Sequence, residues 1–393
     1  MLANTYKHVN NHLAAPGLLP RIQSQSCRRV SSSALRTQLN QLPQRRLPLF
    51  YDYLTPQQSH LLNLSLAGFV PATATVNNAK SSPTTASTTL PSSTLDPPPM
   101  PAGHHLVYFP PQIPISQLLP DGTDRLHSPG SPFNRRMWAG GWVRLCKKNH
   151  NNDCNTARSG KHRPLLLSGR RAVCIEGIRD VSVKGKEGDE KVFVGVERRM
   201  AVVGEGEDEE TIRGRVWTKD EAEWGDAAVV ERRNLVFMRD RAGILDGGVN
   251  DTRFRRVVKA PTNPDFSHLL IPSRSLLFRY SALTFNAHSI HLDPSYAREV
   301  EGYPDVLVHG PLTLTLMLTV FQNHISDASA RRPVIGSIEY RNLAPLFVEQ
   351  EMRICAKRKG NGERASAGAW DIWVEGPDGG LAVKGTVHIL YQQ

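Results

Sequence analysis

The sequence predicts an α+β fold in which antiparallel sheets wrap a buried helix, with this arrangement built twice in tandem. Three observations carry the prediction. From His104 onward the chain breaks into short strand-like runs separated by Gly, Pro and charged turns. The segment Leu312–Ile325 is apolar on nearly every face, as suits a buried helix. The runs after that helix alternate apolar and polar residues with a period of two. At 393 residues the chain is long enough for two or three domains, and its 39% hydrophobic content is enough to fill real cores.

The elements can be justified in chain order. Residues 1–51 contain Lys7, Arg21, Arg28, Arg29, Arg36, Arg45 and Arg46, no Asp or Glu, many Ser (Ser24, Ser26, Ser31, Ser32, Ser33) and no long apolar run. Those are the marks of a mitochondrial transit peptide over 1–50, cut between Arg29 and Leu35, although a disordered basic tail shares the composition. Tyr51–Val70 is mildly helical, and Pro71–Pro99 holds 18 Ser, Thr or Pro among 29 residues. The latter cannot bury a core, so 51–101 reads as a helical segment and a linker. Strand-like runs at His105–Phe109, Gly141–Cys146, Arg171–Glu176, Lys191–Glu197, Ile212–Thr218 and Asn234–Met238 then define a first β-rich domain over 102–245. Asn149–Lys161 and Gly204–Glu210 read as polar and acidic loops within it.

A second domain spans 265–393. Ser275–Tyr280 reads as a strand, a loop with three His follows, and then comes the buried helix. In the strands after it, Met352, Ile354 and Ala356, then Trp370, Ile372 and Val374, then Val383, Gly385, Val387, Ile389 and Tyr391 fall on one face. A strand, a buried helix and a meander wrapping that helix form a hot-dog arrangement, and two such halves in tandem form a double hot dog.

Charge and hydropathy narrow the function. Of the formal net charge of +11, seven positive charges lie in residues 1–51, which leaves +4 on the other 342 residues and removes most support for a nucleic-acid partner. The longest nearly apolar run, Pro311–Phe321, is 11 residues with three Thr, against the roughly 20 of a membrane helix. Five Cys without a CxxC pair fit a reducing compartment.

Chemistry concentrates in Ser281–Gly310, which is dense in His, Asn and Asp. The stretch Asn286-Ala287-His288-Ser289-Ile290-His291-Leu292-Asp293, followed by Tyr296-Ala297 and by His309-Gly310, resembles the signature of the MaoC-like hot-dog hydratases and dehydratases. That signature runs Asp-x-Asn-Pro-Ile-His-x-Asp, then Ala, then a His-Gly that opens the central helix. Within the family the chain is most similar to the tandem branch, which includes mitochondrial 3-hydroxyacyl-thioester dehydratases of type II fatty acid synthesis and mesaconyl-CoA hydratases. The first half adds a likeness in His105–Phe109, Leu119-Pro120-Asp121-Gly122 and Arg135-Arg136-Met137-Trp138-Ala139-Gly140-Gly141, so the resemblance covers 102–393. It implies a (3R)-3-hydroxyacyl-thioester hydro-lyase of the mitochondrial matrix, acting on an acyl carrier protein or CoA thioester without a cofactor. A mesaconyl-CoA-type hydratase and a non-catalytic thioester-binding protein stay open as alternatives, as does a homodimer.

Dehydrating such a thioester requires removal of a C2 proton, delivery of a proton to the departing 3-hydroxyl, and stabilisation of charge on the thioester oxygen. His291 matches the family's catalytic His and is the expected acid and base. Gly310, at the start of the helix, is expected to offer the oxygen a backbone N–H. Where the family has Asp the chain has Asn286, which cannot shuttle protons but can orient a hydroxyl or water, with His288 assisting. His309 orients the loop or meets substrate, and the first half is expected to supply the acyl cavity. Arg135, Arg136, Arg331 and Arg332 are candidates for the phosphates of the carrier arm, and Trp138 lies among the substrate-binding residues. Each of these residues also has a plain structural reading, and Asp293 is expected to cap the helix after it. No metal site is expected, because His288-x-x-His291 lacks i, i+4 spacing and nearby Cys; Cys146-x3-His150-x3-Cys154 reads as incidental.

Overall fold

The computed structural model describes residues 32–71, 88–92, 95–146, 164–239, 257–327, 333–360 and 368–391. Most of the presequence, the loop Asn149–Lys161, most of the Cys146–Cys154 motif, Arg331 and Arg332 lie outside the described residues. Among the described residues no helix is long and apolar enough to cross a membrane.

The first half runs α1 (Ser32–Gln41), β1 (Leu49–Tyr53), α2 (Pro56–Leu66), β2 (Arg135–Leu145), β3 (Arg171–Lys184), β4 (Lys191–Val202), α3 (Glu209–Val216) and β5 (Val229–Met238). The second runs β6 (Phe266–Leu270), α4 (Arg274–Thr284), α5 (Gly310–Asp327), β7 (Pro333–Asn342), β8 (Met352–Arg358), β9 (Ala369–Glu375) and β10 (Leu381–Tyr391). All ten strands form one antiparallel sheet in the order β1-β3-β4-β5-β2-β7-β10-β9-β8-β6. The two halves therefore repeat one topology: β1, β3, β4, β5, β2 on one side of the seam correspond to β6, β8, β9, β10, β7 on the other.

The seam is the β2–β7 pair, running from Gly140 opposite Arg341 to Arg144 opposite Ser337. At Gly140 (φ +131°) and Gly141 (φ +154°) a Cβ would stand 2.3 Å from the Tyr340 carbonyl oxygen and 1.8 Å from that of Arg232. Glycine is what lets both neighbouring strands close on β2 there.

The alternating strands pair as the sequence requires. Ile354 lies opposite Val374 and Ala356 opposite Ile372, while Trp370 lies opposite Val387, so these faces stack over α5. Leu312, Leu314, Leu316, Leu318 and Phe321 of α5 are at most 1% exposed and share one core with Leu62, Leu66 and Tyr108 of the first half.

Three expected strands are helical. Ser275–Tyr280 belongs to α4, which Ser273 caps by accepting the Leu276 N–H at 3.2 Å, with Leu276, Leu277, Tyr280 and Ser281 buried at helical spacing. Ile212–Thr218 belongs to α3, whose cap Asp208 accepts from Thr211 N at 2.9 Å and whose acidic first and basic last turns suit the helix dipole. His105–Phe109 is not a strand either. It follows a short 3-10 turn, His104–Val107, buried on every side, with Ser59 Oγ 2.7 Å from His104 Nδ1. A run buried all round carries no period that separates strand from helix.

The basic segment enters the fold early. Leu39, Leu42 and Leu47 pack on Phe133, Val192, Val194 and Phe237, and Arg45 donates to the Leu126 carbonyl at 2.6 Å.

Candidate active site

The histidine-rich loop lies between α4 and α5. Phe285 ends α4 in the left-handed conformation (φ +53°). Asn286 Oδ1 then accepts the His288 N–H at 3.1 Å, so the carboxamide oxygen is spent on holding the loop. Asp293 Oδ1 accepts from Ser295 N at 2.8 Å and Tyr296 N at 3.2 Å, the expected cap.

This loop opens on a cavity of about 1140 Å³ lined by both halves. Asn286, His288, His291 and Gly310 face it from the second half; Arg135, Arg136 and Trp138 face it from the first. His291 Nδ1 lies 2.8 Å from the Leu307 carbonyl oxygen. A carbonyl can only accept, so Nδ1 carries the hydrogen and Nε2 keeps its lone pair. Burial pushes the His291 pKa down to about 4, against the opposing pull of the Leu307 carbonyl. The imidazole is therefore neutral near pH 7, ready to take a proton.

His309 is fully buried and does not line the cavity. Its ring stacks on His291 with centroids 3.8 Å apart, and its Nε2 pairs with Ser281 Oγ at 2.8 Å. It backs the His291 ring on the side away from the cavity. Burial, then His291 and His288, hold its pKa well below the usual value. His288 is 6% exposed, sits edge-on to His291 at 5.5 Å, and is likewise held well below the usual value by burial, His291 and Arg136.

Gly310 starts an 18-residue helix whose first-turn N–H groups have no intrahelical acceptor. A Cβ there would press on Asn342 Nδ2 at 3.2 Å and Trp138 Cβ at 3.4 Å. The absent side chain thus makes room for protein groups, while the N–H end borders the cavity. Asn342 donates to the Trp138 backbone carbonyl at 2.8 Å, while the Trp138 indole Nε1 donates to the Gly140 carbonyl at 3.0 Å.

The candidate arginines are paired. Arg135 meets Glu301 at 2.6 Å and Arg136 meets Asp124 at 3.2 Å, all four side chains being mostly buried. Deeper in the first half, Arg198 bonds Glu176 at 2.6 Å and Glu231 at 3.0 Å, and Arg233 bonds Glu231 at 2.8 Å. Burial would raise these carboxylates, but Arg233 and Arg198 hold Glu231 at about 2, and Arg198 with His127 holds Glu176 lower still. Glu176, His127, Arg198 and Arg233 all line the cavity.

Sequence reasoning did not single out Asn342, this charged network, or Asp121. The sequence signal for Asp121 was only the turn Leu119-Pro120-Asp121-Gly122. Among the described residues no group of three or more His, Cys, Asp or Glu is arranged to hold a metal.

Comparison with known proteins matches residues 103–348 to the family model described as hydroxyacyl-thioester dehydratase type 2. The chain is 30% identical over 307 residues to a mesaconyl-C(4)-CoA hydratase of Chloroflexus aurantiacus, covering 76% of this chain and 89% of that protein. It is 27% identical over 314 residues to the mitochondrial hydroxyacyl-thioester dehydratase type 2 of Schizosaccharomyces pombe, covering 79% and 90%. A solved MaoC-like dehydratase from Phytophthora capsici is 13% identical with a TM-score of 0.50, covering 90% of this chain and 99% of that one, a likeness of fold.

Proposed function

The chain belongs to the hydroxyacyl-thioester dehydratase type 2 family, and from that premise we propose that it interconverts (3R)-3-hydroxyacyl and 2-enoyl thioesters by syn removal or addition of water. It is a hydro-lyase. The observation that carries the mechanism is the neutral His291, its Nδ1–H tied to Leu307 and its ring bordering the cavity beside Gly310. His291 Nε2 takes the C2 proton, and the electron pair moves onto the thioester oxygen, where the Gly310 N–H stabilises it. The imidazolium then gives its proton to the 3-hydroxyl on the same face. Water leaves as the C2–C3 double bond forms. The Asn286 amide nitrogen, its oxygen being held by the loop, orients the hydroxyl.

The repeated strand order supports reading the chain as a double hot dog, with the acyl group bound by the first half and the chemistry done by the second. The acid-free basic segment and the mitochondrial relatives support import into the matrix and a role in type II fatty acid synthesis on acyl carrier protein. On this reading the presequence is removed ahead of Leu39, which packs in the fold.

One observation favours a second reading, a short dicarboxylic CoA ester. Arg233 donates to Glu231 through Nε, and its guanidinium lies 4.7 Å over the Trp138 ring, a cation facing the cavity next to the Gly310 end. Assaying purified protein with crotonyl and mesaconyl thioesters on both carriers tests the two readings. Hydration of neither on either carrier refutes the enzyme assignment; a strong preference for mesaconyl-CoA selects the second.

A further inference from the structure

The family's carboxylate is missing from the loop position held by Asn286, yet a buried carboxylate reaches the loop from the other half of the molecule. Asp121 is 8% exposed and sits on the turn in which Leu119 N donates to Thr123 O at 2.7 Å and Gly122 N to Leu119 O at 2.8 Å. Its Oδ1 is fixed by the Thr123 N–H at 2.9 Å and the Thr123 hydroxyl at 2.7 Å. Its Oδ2 is left facing His288 Nε2 at 3.6 Å. The same turn grips the loop through backbone: Ser289 N donates to Asp121 O at 2.8 Å, and Gly122 lies so close to Ala287 that a Cβ would stand 2.0 Å from its carbonyl oxygen.

We propose that Asp121 is a positioning residue for the proton-transfer loop of the opposite half, acting through His288. This rests on the hydro-lyase reading above. At 3.6 Å the contact is longer than a hydrogen bond but close enough for a buried anion to bias the ring electrostatically. The carboxylate favours hydrogen on the near nitrogen, Nε2, which leaves Nδ1 as the lone-pair nitrogen of a ring that borders the cavity. His288 is then an acceptor that holds the substrate hydroxyl or the attacking water while His291 moves the C2 proton. The negative charge that the family places on the loop thus arrives from across the seam. Among the described residues, the other charged or titratable groups facing His288 are Arg136 from β2, His291 on its own loop and His309 just before α5. Arg136 disfavours a charged imidazole, and Asp121 is the carboxylate placed within 4 Å of the ring.

Asp121→Asn tests this, because the amide oxygen can still accept both Thr123 bonds while the charge is removed. Thr123→Val is the comparison that loosens the turn and keeps the charge. Turnover is expected to fall about 10²-fold in Asp121→Asn with KM little changed. The acid limb of its kcat/KM profile should move to lower pH by about one unit or more, since the imidazolium loses its counter-charge. Thr123→Val should leave that limb in place. Nitrogen-15 NMR of histidine-labelled, substrate-free protein provides a readout independent of turnover: His288 should be the Nε2–H tautomer in wild type and lose that bias in Asp121→Asn. An unchanged tautomer and pH limb in Asp121→Asn would overturn the proposal, as would a Thr123→Val variant that reproduces both changes. If the wild-type protein turned over no thioester, the reading of the enzyme would fail, and the NMR comparison would still decide the role of Asp121.

Discussion

Replacing Gly122 by Ala isolates how tightly the two halves must meet. Two separate penalties apply at this position. Gly122 has φ +81°, where an L side chain costs roughly 1–2 kcal/mol. The new methyl would also stand 2.0 Å from the Ala287 carbonyl oxygen, where an ordinary carbon–oxygen contact is about 3.3 Å. The loop carrying His288 and His291 must then move by about 1 Å or more, and a misplacement of that size costs about 10²-fold in rate. Gly379→Ala separates the penalties, since Gly379 has φ +68° with nothing within 4 Å of its added Cβ. That variant should melt about 2 °C lower with full activity. Gly122→Ala should melt at least as low and lose about 10²-fold in turnover, measured by enoyl-thioester absorbance on protein shown to be folded by circular dichroism. A folded Gly122→Ala with turnover matching Gly379→Ala would refute the idea that this contact sets the geometry of the loop.

His291→Ala should lower turnover by roughly 10²–10⁴ with folding intact, and near-native rates on every thioester tested would remove His291 from the mechanism. Asn286→Asp should keep substantial activity and shift the pH profile upward, because a carboxylate beside the imidazole favours its charged form; steady-state rates from pH 5 to 9 would show it. Arg198→Leu should cost about 3–5 kcal/mol in urea denaturation, since it leaves Glu176 and Glu231 buried without that partner. Stability should fall on acidification. His105 and His291 (about 4) and His104 (about 3) all sit below the ordinary 6.5, so the unfolded chain binds more protons as pH drops from about 6.5; Glu231 (about 2 against 4.5) extends the loss below 4.5. Each group contributes a slope of about 1.4 kcal/mol per pH unit within its window. A urea midpoint that stays flat between pH 7 and 5 would contradict this. Dialysis against a strong chelator should leave turnover unchanged, and activity restored by zinc would reassign the histidines as ligands.

What was legible in the sequence was local. The apolar helix α5 and the alternating strands β8 to β10 carry their period within a few residues, and the faces the pattern names are buried except at the half-buried Gly385 and Tyr391, with Cys355 and Trp373 buried on the opposite face as well. The cluster Asn286, His288 and His291 was visible for the same reason, as one loop. Helices α3 and α4 look like strands in the sequence because short segments half-buried at one helical face mimic alternation; their capping residues, Asp208 and Ser273, are the better signal. Nothing local links Asp121 to His288, which are 167 positions apart, or joins Arg198 to Glu176 and Glu231 across three strands. The stacking of His309 on His291 likewise depends on how α5 enters the core.

The β2–β7 seam also decides how the site responds to dilution. Where two separate subunits must meet to complete a cavity, the occupied fraction falls once the protein drops below its dissociation constant. Here both partners of the seam lie on one chain, so their effective concentration is fixed by the polypeptide itself. The Asp121 turn faces the His288 loop equally often at nanomolar and at millimolar protein, and specific activity should not decay with dilution.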